Sequence, residues 1–301
     1  MSRKIGQHYV PQFYLRGFAI SDTGNDKLWV YDKNKPVPRL QSAGKVAKKN
    51  NLYSFFDPNG VDNVLEEALS KIESSAAPLF RRLQREDVEF TNVGERYTFG
   101  KFVSFLAYRT PQFNRHLHIL AQNLAKGKLI NHFEKKGGLQ VAVEEFNKKT
   151  GYQVTPEKFL DAFNEMKIKP PKGTFQVIMF EGAKKMIPHF CTMRWHFLRS
   201  DADRFFVTTD APVVFHDLNN DDPFFKPGIL QKSVQILFPV NKQLCLVATW
   251  EGREGYYLVD KDVVREINNK IAGAAERFLF SSIQQYNIRV EWIEPARGEE
   301  R

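Results

Sequence analysis

The stretch Cys191-Thr192-Met193-Arg194-Trp195-His196-Phe197-Leu198 decides the fold class. Before it, apolar residues recur at helical spacing. From here the period falls to two, with Met193, Trp195 and Phe197 alternating with Arg194, His196 and Leu198, the pattern of a half-buried strand. Strand-like runs follow at 204–208, 212–215, 234–238 and 243–249, then one helix over 261–277 built on Val264, Ile267, Ile271 and Ala274/Ala275, then a last strand at 287–292. Helices first and strands later predict an α+β fold, a helical N-terminal two thirds packed on a mainly antiparallel C-terminal sheet, rather than a doubly wound one. The chain reads as one large domain, 1–301, that admits a subdivision into a mainly helical basic part, 1–190, and a strand-rich part, 191–301.

Working back from that switch, Thr174 to His189 reads as a helix, and Thr155-Pro156 caps another that uses Phe159, Phe163 and Met166. Over 62–85, Leu65, Leu69, Ile72, Ala76, Leu79 and Leu83 form one apolar stripe with Glu73 at its edge. Over 94–108, Phe102, Phe105, Leu106 and Arg109 fall at i, i+3, i+4 and i+7, so Arg109 points inward. Thr110-Pro111 then opens a helix expected to turn Phe113, Leu117, Leu120 and Leu124 inward. The lysine-rich segment 126–151 reads as an exposed hairpin of helices or loops. Near the start, Pro11 suits a first helical turn and Gly17 a left-handed helix end, while 27–32 and 50–55 read as strands.

The composition, 42% hydrophobic with 26 Phe, supplies ample volume for a packed interior rich in phenyl rings. Only two cysteines occur, Cys191 and Cys245, both in strand-like segments, so a disulfide framework is not expected. The N-terminus lacks an apolar signal core and no run approaches a membrane span, which points to a cytoplasmic protein with no membrane partner. The net charge of +9 is uneven: residues 1–200 carry an excess of thirteen positive charges and 201–301 an excess of four negative ones. That asymmetry favours a polyanionic partner, nucleic acid before membrane; a solvated basic surface is the plain alternative. A protein partner or homo-oligomer is not specified.

The familiar chemical signatures are missing: no Walker loop, no Gly-x-Gly-x-x-Gly, no Cys-x-x-Cys pair, no His-Glu-x-x-His and no Gly-x-Ser-x-Gly. Three residues nevertheless stand out as candidates for catalysis. His8 precedes a proline-started helix, and its ring titrates near neutrality. Arg109 is an inward guanidinium that must find a carboxylate, carbonyls or an anionic ligand; its plain reading is an ion pair within the core, for example with Glu73. Asp210 ends a strand after two hydroxyls, where it can orient a histidine, bind a cation, pair with an arginine or simply hold a turn. Binding candidates are Lys45, Lys48 and Lys49 for phosphates, Tyr9, Tyr14 and Tyr53 for stacking on unpaired bases, and Arg16 and Glu73. Each ring also reads plainly as core packing. No cofactor is specified; a divalent cation held by Asp210 with Asp201, Asp203, Asp217, Asp221 and Asp222 fits no calcium loop.

The run His8-Tyr9-Val10-Pro11-Gln12-Phe13-Tyr14-Leu15-Arg16-Gly17-Phe18 resembles the opening motif, His-x-Val-Pro-x-x-Tyr-Leu-x-x-Phe, of a widespread bacterial family of unknown function. The resemblance extends to Ile72-Glu73, Tyr108-Arg109-Thr110-Pro111, Trp195, Thr208-Thr209-Asp210-Ala211-Pro212, Phe238-Pro239 and Ile267-Asn268. It implies that His8, Arg109 and Asp210 occupy the family's polar motif positions, and it brings no activity with it. The leading expectation is a nucleic-acid-directed, nuclease-like protein of a toxin or defence kind. The alternatives are a non-catalytic interaction module and an enzyme on a small phosphorylated or nucleotide ligand.

Overall fold

In a computed structural model of the chain, residues 6–20, 26–50, 52–53, 55–57, 60–62, 64–167, 170, 173–201, 203–220 and 227–284 are described. Their elements run β1 (Gly6–His8), α1 (Gln12–Leu15), β2 (Lys27–Asp32), β3 (Lys35–Ser42), β4 (Lys48–Asn50), β5 (Phe55–Asp57), β6 (Gly60–Asp62), α2 (Val64–Leu83) and α3 (Val93–Tyr108). Then follow α4 (Pro111–Lys135), α5 (Leu139–Thr150), α6 (Pro156–Glu165), α7 (Thr174–Thr192), β7 (Arg194–Ser200), β8 (Thr208–Thr209), β9 (Val214–Asp217), β10 (Val234–Asn241), β11 (Leu244–Thr249), β12 (Gly255–Val259), α8 (Lys261–Gly273) and β13 (Phe278–Ser281). The class is α+β. The chain divides into two compact units, residues 1–112 with 176–301, and residues 113–175.

In the larger unit, a five-stranded sheet has the order β12-β7-β11-β10-β9, antiparallel throughout except where β12 runs parallel to β7. A second sheet, β3-β2-β13-β8, is antiparallel and joins strands from opposite ends of the sequence. Two ribbons, β1-β4 and β5-β6, complete the pairing among the described residues. The alternation read from the sequence at β7 is realised: Trp195 and Phe197 are buried on one face. They meet an aromatic cluster in which Phe80 of α2 lies 4.9 Å from Phe102 and Phe99 lies 5.4 Å from Trp195. The α2 stripe buries Leu69, Ile72, Ala76, Leu79 and Leu83 as its spacing predicts, and the helix runs through Pro78 without ending. A second cluster joins Val264, Ile267 and Ile271 of α8 to Leu237, Cys245, Val247, Phe206 and Leu279. Asn268, on the same helix, donates to Phe205 O and accepts from Val207 N at 3.0 Å each, pinning the chain before β8.

In the smaller unit, Thr155 caps α6 by accepting from Lys158 N, and Gly151 at φ +78 ends α5. Phe133, Phe146, Phe159 and Phe163 pack edge to face at 5.6–6.1 Å.

Three expectations change. Cys191 lies at the end of α7, because that helix continues through Pro188 to Thr192 rather than stopping at His189. Gly17 is not left-handed; it sits in a 3-10 turn, Arg16–Phe18, where a Cβ would come 3.1 Å from that of Asn241, so glycine serves close approach rather than helix termination. On α4, Leu117 is buried but Leu120 and Leu124 are exposed. The strand expected at 287–292 lies outside the described residues.

Candidate functional site

His8 closes β1, which pairs with β4 in the register His8 to Lys48 and Gln7 to Lys49. The link back to β4 is a tight turn: Ser42 caps a 3-10 turn over Ala43–Lys45, and Ala47 adopts φ +50 while its carbonyl takes Tyr9 N at 3.0 Å. That turn brings the Gly44 backbone to the imidazole, which bonds to it. Nε2 has no partner among the described residues, so the bond runs from Nδ1–H to the Gly44 carbonyl. The tautomer is thereby set, leaving the lone pair on the buried, unpartnered Nε2. Burial, reinforced by Lys48 and Arg109, holds the pKa of His8 below its ordinary value against the opposing pull of Gly44 and Glu73. At neutral pH His8 is therefore an uncharged proton acceptor.

Arg109 is the C-cap of α3, with its N–H donating to Phe105 O, and its side chain is 2% exposed. Nε donates to Tyr9 O at 2.9 Å and Nη1 to Glu73 Oε1 at 2.8 Å, the partner its inward position called for. Nη2 is buried with no partner among the described residues. A guanidinium cannot shed its proton, so this N–H is a fixed positive donor awaiting an acceptor. Tyr53 closes the cluster: its hydroxyl donates to Arg109 O at 2.8 Å, and its own N–H is taken by Gln7 Oε1 at 2.7 Å. His8, Glu73 and Arg109 thus converge from three distant segments.

Asp210 sits beyond Tyr9. Its carboxylate accepts from three successive backbone amides, Glu276, Arg277 and Phe278, at 2.8–3.0 Å, and its own N–H returns to Phe278 O. Desolvation in this buried seat outweighs those three bonds and pushes its carboxyl up to about 6. Tyr9 links the two places: its carbonyl holds Arg109, while burial and the Asp210 charge raise its hydroxyl well above the ordinary range. Asp210 therefore anchors β8 to β13, and the orienting of His8 falls to Gly44 instead.

The other expected residues divide by exposure. Tyr14 is 1% exposed; its hydroxyl donates to Pro239 O at 2.7 Å and accepts from Thr208 Oγ1 at 2.7 Å, and its ring stacks on Phe238 at 5.4 Å. Neither Tyr14 nor the fully buried Tyr53 presents a face to a base. Arg16 pairs with Asp26 at 2.6 Å. Lys45, Lys48 and Lys49 are exposed beside the His8 ribbon. No group of three His, Cys, Asp or Glu able to hold a metal ion occurs among the described residues, and Asp221 and Asp222 lie outside them. Sequence reasoning missed Gly44 and Gln7, whose contributions run through a backbone carbonyl and an amide with no residue-type signature. No helix among the described residues is long and apolar enough to cross a membrane.

No curated protein and no solved structure matches the chain. A protein family does, over residues 6–285, a span that takes in the His8 ribbon, α2, α3 and Asp210; the chain belongs to the family described as "Protein of unknown function (DUF4238)".

Proposed function

We propose that the protein acts on phosphodiesters of nucleic acid, with His8 as general base and Arg109 as the holder of phosphate charge. The observation that carries this reading is the pair of unpartnered buried nitrogens, a free lone pair on His8 Nε2 and a free N–H on Arg109 Nη2. A base needs an open lone pair on a group that is neutral at working pH, and His8 has both. A phosphoryl oxygen needs a preorganised positive donor, and Arg109 is clamped by Tyr9 and Glu73 with one N–H to spare. In the step we infer, His8 Nε2 takes the proton of an attacking hydroxyl as its oxygen bonds to phosphorus. The opposite oxygen leaves and recovers that proton. Lys45, Lys48 and Lys49 would meet the flanking phosphates, in keeping with the positive excess of the first 200 residues.

A second reading rests on the same contacts. Arg109 already has two protein partners, and Asp210 is fully engaged by backbone amides. A non-catalytic module, with the cluster as a structural network and the lysines as a binding surface, accounts for that much.

The test is incubation of wild-type and His8→Ala protein with single- and double-stranded RNA and DNA, with and without Mg²⁺. We expect cleavage by the wild type and none by the variant; cleavage by folded His8→Ala protein overturns the mechanism. Salt-sensitive binding without cleavage selects the module, and salt-insensitive binding of a mononucleotide selects a small-ligand enzyme.

A further inference from the structure

Among the described residues, the five-stranded sheet buries one face and covers the other only in part. On the first face Trp195, Phe197, Leu246 and Phe238 are buried, with Trp195, Phe197 and Phe238 packed among the phenyl rings. On the second, Leu237, Cys245 and Val247 share a cluster with α8. Further along that face the strands open into a groove of about 570 Å³, floored by Leu198 and Val247 and walled by Trp250 and Tyr257. That volume lies in the range of small-molecule sites, and an apolar floor with a few convergent polar groups is their usual make-up.

The lining is fixed in place by contacts that packing alone does not require. Trp250 Nε1–H donates to Ile229 O at 2.8 Å, which sets the indole plane. Thr249 Oγ1–H donates to Glu251 O at 2.6 Å, so its oxygen can only accept from His196 Nε2, 2.9 Å away. Nε2 also reaches the Glu251 carbonyl at 3.3 Å, which again requires an N–H there. His196 is therefore held in one orientation. The turn that closes over it passes through Gly252 at φ +99, where a Cβ would stand 2.9 Å from His196 Cε1. Only glycine lets the backbone lie on that ring.

Two polar groups on this groove have no matching partner. Lys232 Nζ stands 4.7 Å over the Trp250 ring and has no carboxylate partner among the described residues. The side-chain amide of Gln235, across the groove floor on β10, has no hydrogen-bond partner among them either. Glu251 contributes its carbonyl inward, and its side chain is exposed at the rim. An ammonium and an amide N–H₂ beside an apolar floor complement an anionic head on an apolar body.

We propose that this groove binds a small amphipathic carboxylate, its apolar body on Leu198 and Val247 between Trp250 and Tyr257, its carboxylate on Lys232 and Gln235. The site is separate from the His8 cluster and does not depend on the reading of it.

The test is calorimetric titration of the full chain with 2-naphthoate and with its uncharged analogue 2-naphthylmethanol, for the wild type, Lys232→Gln, Gln235→Leu and Arg109→Lys. Circular dichroism checks that each variant is folded. We expect the wild type to prefer the carboxylate by about tenfold or more, the size of one ion pair near a surface. Lys232→Gln abolishes that preference while the alcohol binds as before, Gln235→Leu weakens it, and Arg109→Lys leaves it intact. Failure to bind either compound, equal binding of both, or a preference that survives Lys232→Gln overturns the proposal. So does a preference lost only in Arg109→Lys, which would place the carboxylate at the other cluster.

Discussion

Replacing Arg109 by alanine removes a side chain whose contacts can be followed one by one. The Tyr9 carbonyl, buried and bonded to Arg109 Nε at 2.9 Å, is left without a donor, a loss of about 1–3 kcal/mol. The ion pair with Glu73 is worth less than a fully buried one, because Glu73 keeps 28% of its side chain in solvent. That exposure lets water take up the stranded carboxylate and brings the term down to about 1 kcal/mol, against about 3–5 for complete burial. The lost packing of the arginine stem adds about 1 kcal/mol. Together these give about 3–5 kcal/mol, which for a cooperative unit of this size lowers the melting temperature by roughly 10 °C. The assay is thermal and urea denaturation followed by circular dichroism, on Arg109→Ala, Glu73→Ala and the double variant. In the cycle the double variant should lose less than the sum of the singles, since the first substitution already breaks the pair. A melting temperature for Arg109→Ala within a degree or two of wild type refutes this account of the cluster.

Asp210→Ala should destabilise by about 3 kcal/mol or more, since three amides between β8 and β13 lose one acceptor, and hydrogen exchange at Glu276, Arg277 and Phe278 should rise together. The Asp210 carboxyl should titrate near 6 by carbon NMR. An unfolded aspartate holds its proton only below about 4, so between those values the native state binds more protons, and this group's contribution to stability falls as pH rises. Asp32 should behave oppositely: two bonds from Arg277 at 2.9 Å depress its pKa, so its contribution is present at neutral pH and lost on acidification through its lowered folded value. His8, also depressed, is fully favourable above about 6.5 and loses stability as pH falls below it; His8→Gln should flatten that part of the stability profile, and a ring titrating above 6.5 by NMR would contradict the burial described.

The sequence was legible wherever one element decided the matter by its own periodicity. The α2 stripe, the cap at Thr155 and the alternation at β7 follow from local spacing, and so does the inward aim of Arg109, since i, i+3, i+4 and i+7 share a helix face whatever lies opposite. Glu73 as its partner was also readable, because both residues edge apolar stripes. What was not readable depends on backbone far away in sequence. The amides that hold Asp210 lie 66–68 residues on, and the carbonyl that sets the His8 tautomer belongs to a glycine in a turn of positive-φ geometry at Ala47. Leu120 and Leu124 were misread because helical spacing identifies an apolar face without saying that anything covers it.

The sheet β3-β2-β13-β8 has a consequence for how the chain is made. Its second strand, residues 27–32, pairs with residues 278–281, some 250 positions later. A ribosome delivers the β2–β3 hairpin early, and a two-stranded hairpin is at best marginally stable in water. Closure waits until residues 278–281 have emerged, and contacts of such separation fold slowly. Residues 278–281 act as the last stitch: they complete the sheet, and their neighbours supply the amides that seat Asp210 next to Tyr9. Chains interrupted before residue 278 should expose an unpaired β2 edge and be protease-sensitive, and the seat of Asp210 should form only once the amides of Glu276, Arg277 and Phe278 have been made.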